Sequence, residues 1–175
     1  VLPRENWNYL DPVVLDVMLA VGADDSFYSS LIDARQLLEP AAAAQAAANA
    51  NARQLYQIAK AFEDMVEANA RDNEAWSRAD LEFHTAIINA SGNWVYRQFA
   101  SAIRAALLAS FRLTNRASQS HEQAILAHQD VLEAIRMRRP DAARHAMEQL
   151  IGVARSEMTD ALRRTRIAAK THQDD

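Results

Sequence analysis

The chain has no cysteine, three glycines and four prolines in 175 residues. Lack of thiols excludes disulfides, thiolate nucleophiles and thiolate metal ligands. The scarcity of glycine leaves no glycine-rich phosphate loop. Half the residues are hydrophobic and alanine is abundant, which excludes a β-rich or disordered chain and fits an all-helical one. A net basic charge is also missing. The formal charge is −4 with a pI near 5.7, so this piece is not built to grip a phosphate backbone by itself. Small basic groups occur at Arg136, Arg138, Arg139 and at Arg163, Arg164, Arg166, and are read as helix-end and solvated charges. The apolar run Ala41 to Ala50 is broken by Gln45 and Asn49, which marks a packed helix and neither a membrane span nor a signal peptide. A cytoplasmic location is the matching expectation.

Punctuation divides the chain into helices. Residues 1–11 carry Pro3, Trp7 and Tyr9 without helical period and read as a linker. A short helix is predicted over Pro12 to Val21, with Asp11 as its N-cap and Gly22 as its stop. A longer one starts at Asp25 or Ser26, and Pro40 should kink or break it after Glu39. Asn49 and Asn51 mark the next boundary, followed by the stripe Leu55, Ile58, Ala59, Phe62, Met65, Val66. A further helix covers Asn73 to Ser91 and ends at Gly92. The next should run from Trp94 to about Arg116, capped by Asn93 and burying Val95, Phe99, Ile103, Leu107 and Phe111. Another begins near Ser120 and carries Ile125, His128, Leu132 and Ile135. The last opens at Pro140 with the inner face Ala143, Met147, Leu150, Ala154, Met158 and Leu162. Short connections favour antiparallel neighbours, so the fold class is an all-α antiparallel bundle of six or seven helices over residues 12–168, with a disordered tail at 169–175.

One spacing is chemically pointed. Asp80 and His84 stand one helical turn apart, where a carboxylate and an imidazole can reach a single ion. Such a pair can equally be a surface accident, but Asp80, His84, Ile87 and Ser91 share a core-type face, which turns the polar pair inward. His128 lies on an apolar stripe, either as a hydrogen-bonded core histidine or as the third member of a two-His, one-carboxylate set that leaves open coordination positions. His121 lies roughly 10 Å before His128 along the same helix, too far to share the ion. His145 and His172 read as surface residues. Arg35 is either a snorkelling partner of Glu39 or a carboxylate anchor in a cavity. No Glu-x-x-His pair, no His-Glu-x-x-His and no convincing Ser-His-Asp arrangement is present.

Four segments together resemble the effector-binding C-terminal (FCD) domain of GntR-superfamily regulators of the FadR subfamily. They are Trp7-Asn8-Tyr9-Leu10-Asp11-Pro12; Ala34-Arg35-Gln36-Leu37-Leu38-Glu39-Pro40; Asp80-x-x-x-His84 with Ala90-Ser91-Gly92-Asn93; and Ala127-His128-Gln129-Asp130-Val131-Leu132-Glu133-Ala134-Ile135 with Pro140-Asp141-Ala142-Ala143. The resemblance implies a central cavity holding a divalent ion, expected to be zinc, on Asp80, His84 and His128. It implies a small carboxylate effector touching metal and protein, with Arg35 as its contact. It further implies a homodimer that binds operator DNA only through a winged helix-turn-helix domain upstream of residue 1. The linker is similar to that of sugar-acid regulators. In one respect the chain departs from the pattern: metal-binding members have a third histidine on the last helix where this chain has Leu150, with Gln149 turned about 100° away. A transcriptional effector sensor, not an enzyme, is therefore expected. A mononuclear metalloenzyme and a purely structural helical module are the alternatives.

Overall fold

Side chains next to the first free amides set most of the helix starts. The computed structural model describes residues 3, 6–22, 24–68, 72–114 and 121–171, with side chains for all of these except 109–114 and 165–171. Asp11 accepts from the Val13 amide and Pro12 opens α1, Pro12–Val21. Asp24 accepts from the Phe27 amide at the head of α2, Asp25–Asn49. Before α3, Ala52–Ala68, Asn51 and Gln54 bond each other's backbone amides reciprocally, a capping box. Asp72 accepts from two amides of α4, Asn73–Ala90. α5 spans Ala100–Thr114, α6 Glu122–Arg136 and α7 Pro140–Thr171, and no strand occurs among the described residues. Gly22 and Gly92 take φ of 80° and 75°, the left-handed stops after α1 and α4.

Two expectations are corrected. Pro40 does not break its helix: α2 continues from Asp25 to Asn49 with Pro40 buried inside it. The missing amide bond is a local loss of about 3 kcal/mol. It is offset because α2 packs against α4, α5, α6 and α7, so ending it would expose several interfaces. The segment after Asn93 is not α-helical at first. Asn93 accepts from the amides of Val95 and Tyr96, but the chain makes a turn and a 3-10 helix, Tyr96–Phe99, before α5 begins at Ala100. Trp94 and Val95 are consequently exposed. Phe111 lies outside the described side chains, and Ser120 and His172 outside the described residues. Val66 is exposed, while Met65 beside it is buried.

The relative directions of the helices follow from their bonds. Arg155 meets Asp33 while Arg138 meets Ala47, so α2 and α7 are antiparallel. Asn73 meets His121 while Asp80 meets His128, so α4 and α6 run the same way. α2 is the central rod: Ala42, Ala43, Ala44, Ala46 and Ala47 are all buried, and their small side chains admit neighbours on several sides. The main core packs Ile58, Met65, Phe83, Ile87, Ile135, Met147 and Ile151. A smaller core at the α1 end joins Leu15, Leu19, Ile32, Ala106 and Met158.

Arg138 ties the α6–α7 turn to α2. It holds φ of 55°, and its guanidinium donates to the carbonyls of Ala47 and Ala50 at 3.2 and 2.5 Å, satisfying acceptors that the end of α2 leaves free. Arg138→Ala should therefore lower unfolding free energy by about 2 kcal/mol in urea titration, since it removes two charge-assisted bonds. Arg138→Gly should lose less, because glycine adopts the positive φ without strain.

Candidate metal and effector site

Each polar member of the site is carried on a helix whose other faces are committed to the core. On α4 the apolar residues Phe83, Ile87 and Ile88 face inward, and the helical repeat brings Asp80 and His84 in with them. His128 enters from α6 with Val131, Leu132 and Ile135. From α2, Arg35 and Glu39 point to the same place. All five are at most 5% exposed. Asp80, His84 and His128 each offer a ligand atom within 4.8 Å of the other two, and no other such group occurs among the described residues.

The hydrogen bonds fix which nitrogen of each imidazole faces Asp80. His128 Nδ1 lies 2.7 Å from the Ala124 carbonyl oxygen, which can only accept, so Nδ1 carries a proton and donates it. Its Nε2 faces Asp80 Oδ1 at 2.8 Å, but the oxygen stands off the line an N–H would take. Nε2 is the buried side-chain nitrogen left without a hydrogen-bond partner among the described residues. His84 shows the same polarity. Its Nδ1 meets Glu39 Oε2, while Nε2 is 3.4 Å from Arg35 Nη2 and 3.8 Å from Asp80 Oδ1. Both histidines thus turn Nε2 toward the Asp80 carboxylate. With Nε2 deprotonated, as a metal ligand must be, the nitrogen and the carboxylate oxygen would repel each other unless a cation lay between them. Two donors bound to one ion at about 2.0–2.2 Å stand in this oblique way. The donor set fits a divalent ion.

The two carboxylates are ionised. Burial alone would raise the Asp80 pKa, but His128, His84 and Arg35 outweigh it and bring it down to about 2. Burial likewise opposes ionisation of Glu39, and the Arg35 guanidinium with the His84 ring brings its pKa down to about 2. Glu39 was invisible as a site residue in the sequence, where it reads as Arg35's surface partner. The Arg35–Glu39 pair does form, Nε to Oε1 at 2.6 Å, but it is buried rather than snorkelling.

Aromatic rings enclose the set. Phe83 packs edge-to-face on both His84 and His128, with centroids 5.8 and 5.1 Å away. Trp76 meets His128 edge-on and stacks on His121 at 4.1 Å. His121 thus belongs to this wall and not to the ligand group. His145 is 72% exposed. On α7, Leu150 is buried and Gln149 exposed, so neither adds a nitrogen or oxygen ligand to the set. A groove of about 450 Å³ opens elsewhere, between α3 and α4. It is lined by Asp64, Glu67, Asp72 and Glu82 against Arg78 alone, the wrong sign for an anion.

Comparison with known proteins places this all-helical bundle, with its inward-facing Asp-His-His set and buried arginine, in a class of regulatory domain. The FCD domain family matches residues 30–153, and the chain belongs to that family. It is 36% identical over 152 residues to the galactonate operon transcriptional repressor of Escherichia coli (strain K12), covering 86% of this chain and 66% of that protein. The chain therefore spans just under two thirds of the repressor's length. Among solved structures, Streptococcus agalactiae GntR aligns with a TM-score of 0.64 at 28% identity, over 75% of this chain and 59% of that one. The family is regulatory, and the metalloenzyme alternative finds no support in these relatives. No described helix is long and apolar enough to cross a membrane.

The buried pair is open to a direct test. Arg35→Met leaves Glu39 ionised with half its partners and should cost about 3–5 kcal/mol in guanidinium unfolding. Arg35→Met combined with Glu39→Met removes the stranded charge and should cost less than Arg35→Met alone.

Proposed function

We propose that this chain is the effector-sensing domain of a transcription regulator, holding a divalent ion, zinc by its nitrogen-rich donor set, on Asp80, His84 and His128. A small carboxylate would touch the ion and Arg35 together. The observation that carries the reading is His128 Nε2, buried, unbonded and 2.8 Å from Asp80 Oδ1. Charge supports it. With neutral imidazoles, Asp80 and Glu39 against Arg35 leave one net negative charge in a dry interior. A divalent ion turns that into one net positive charge, and a monocarboxylate then neutralises it. Open positions left by three protein ligands give the carboxylate a place on the ion, and the planar guanidinium of Arg35 suits a carboxylate's two oxygens.

Likeness to a galactonate operon repressor points to an aldonate or similar hydroxy acid as effector. A hydroxyl beside the carboxylate adds a second oxygen for the ion. By the same likeness the domain works as a homodimer in the cytoplasm, with residues 12–168 as the sensing unit and 1–11 as the linker. Operator DNA would be held by a separate N-terminal domain. Effector binding changes operator affinity only through contacts that differ between two placements of bundle and DNA-binding heads. This chain's acidic balance leaves DNA binding to that other domain.

His84→Ala and His128→Ala should each lose stoichiometric zinc in elemental analysis while keeping helical circular dichroism. Unchanged metal content in both would overturn the ligand assignment. With zinc bound, D-galactonate and related aldonates should raise the melting temperature, and chelation should abolish the rise. Leu150→His, which restores a histidine on α7, should tighten zinc binding; no gain would place that position outside the ion's shell.

A further inference from the structure

Glu39 is split between two partners. One oxygen, Oε1, accepts from Arg35 Nε at 2.6 Å; the other, Oε2, meets His84 Nδ1. All three side chains are at most 2% exposed, so no solvent competes for these bonds. The same ring of contacts closes through Arg35 Nη2 and His84 Nε2 at 3.4 Å. Glu39 touches neither Asp80 nor His128 among the contacts described, so it sits one shell behind the ligand atoms.

We infer that Glu39 is the positioning residue of the site: its carboxylate fixes His84 as the Nδ1–H tautomer, aiming Nε2 at the ion, and simultaneously holds the Arg35 guanidinium in place for the effector carboxylate. The inference rests on the metal-binding reading above. A ligand histidine needs its far nitrogen held by an acceptor, both to orient the ring and to strengthen the donor. For His128 the Ala124 carbonyl fills that role; for His84 the acceptor is Glu39. Two N–H groups on different helices, His84 on α4 and Arg35 on α2, need acceptors at one point. The Glu39 carboxylate serves both, with one oxygen for each. Glutamine keeps the shape but supplies one acceptor and one donor, so one of the two bonds fails.

The decisive experiment uses the folded chain and zinc alone. Imidazole nitrogen shifts at pH 8 report the His84 tautomer with and without zinc, and competition with a chromophoric chelator gives zinc affinity for wild type and Glu39→Gln. Wild-type His84 should be protonated on Nδ1 only, in both states. Glu39→Gln should bind zinc roughly 10- to 100-fold more weakly while its circular dichroism is retained. Any other protonation state of wild-type His84, or zinc affinity in Glu39→Gln within twofold of wild type, would overturn the inference. If the variant does not fold, the wild-type tautomer still decides. A wild-type chain that binds no zinc would instead bring down the metal reading, while the zinc-free tautomer would still show whether Glu39 orients His84.

Discussion

Two ionised carboxylates in a dry interior are the constraint on which this structure depends. Asp80 and Glu39 are each at most 5% exposed, and neither could remain charged without Arg35, His84 and His128 around it. An isolated buried carboxylate would cost many kcal/mol and would protonate instead. The compensation comes from three helices, so α2, α4 and α6 cannot slide past one another without stranding a charge. Hydrophobic packing would tolerate small shifts; this cluster does not.

Packing around α2 accounts for a feature that looks locally unfavourable. α2 carries a proline one residue after Glu39 and still runs unbroken, since the helices packed along it would lose their interfaces if it ended there. Its alanine-rich second half is largely buried, and four helices pack along its length. At its far end, where four carbonyls lack helical partners, Arg138 reaches across from the α6–α7 turn. The rod that presents Arg35 is thus held by packing along its length and by a guanidinium at its end.

Much of this was legible in the residues. Asp11, Pro12 and Gly22 bound α1, Asn51 precedes α3, Gly92 ends α4 and Pro140 opens α7, because caps and stops act through one or two bonds near in sequence. Helical repeat turned Asp80 and His84 to one inward face and set His128 on an apolar stripe, while the grouping of the three as ligands came from the family resemblance. Legibility failed where the deciding contact is distant. The rule for Pro40 is local, and tertiary packing overrode it. Asn93 gave its cap, but the chain after it first adopts a 3-10 turn that places Trp94 outward. Glu39 read as half of an ordinary i, i+4 pair, and only His84, 45 residues away, makes it part of the site.

The parallel course of α4 and α6 has a kinetic meaning. The ligand atoms come from residues 80, 84 and 128, with Arg35 from still farther away, so no hairpin of neighbouring helices contains the set. The site comes into being only when helices distant in sequence have docked. Local helix formation runs ahead of such contacts, because closing the long loops between them carries the larger entropy cost. An ion held by the full set of donors would therefore recognise the finished bundle alone, and its binding energy would act on global unfolding while leaving the fraying of individual helix ends untouched.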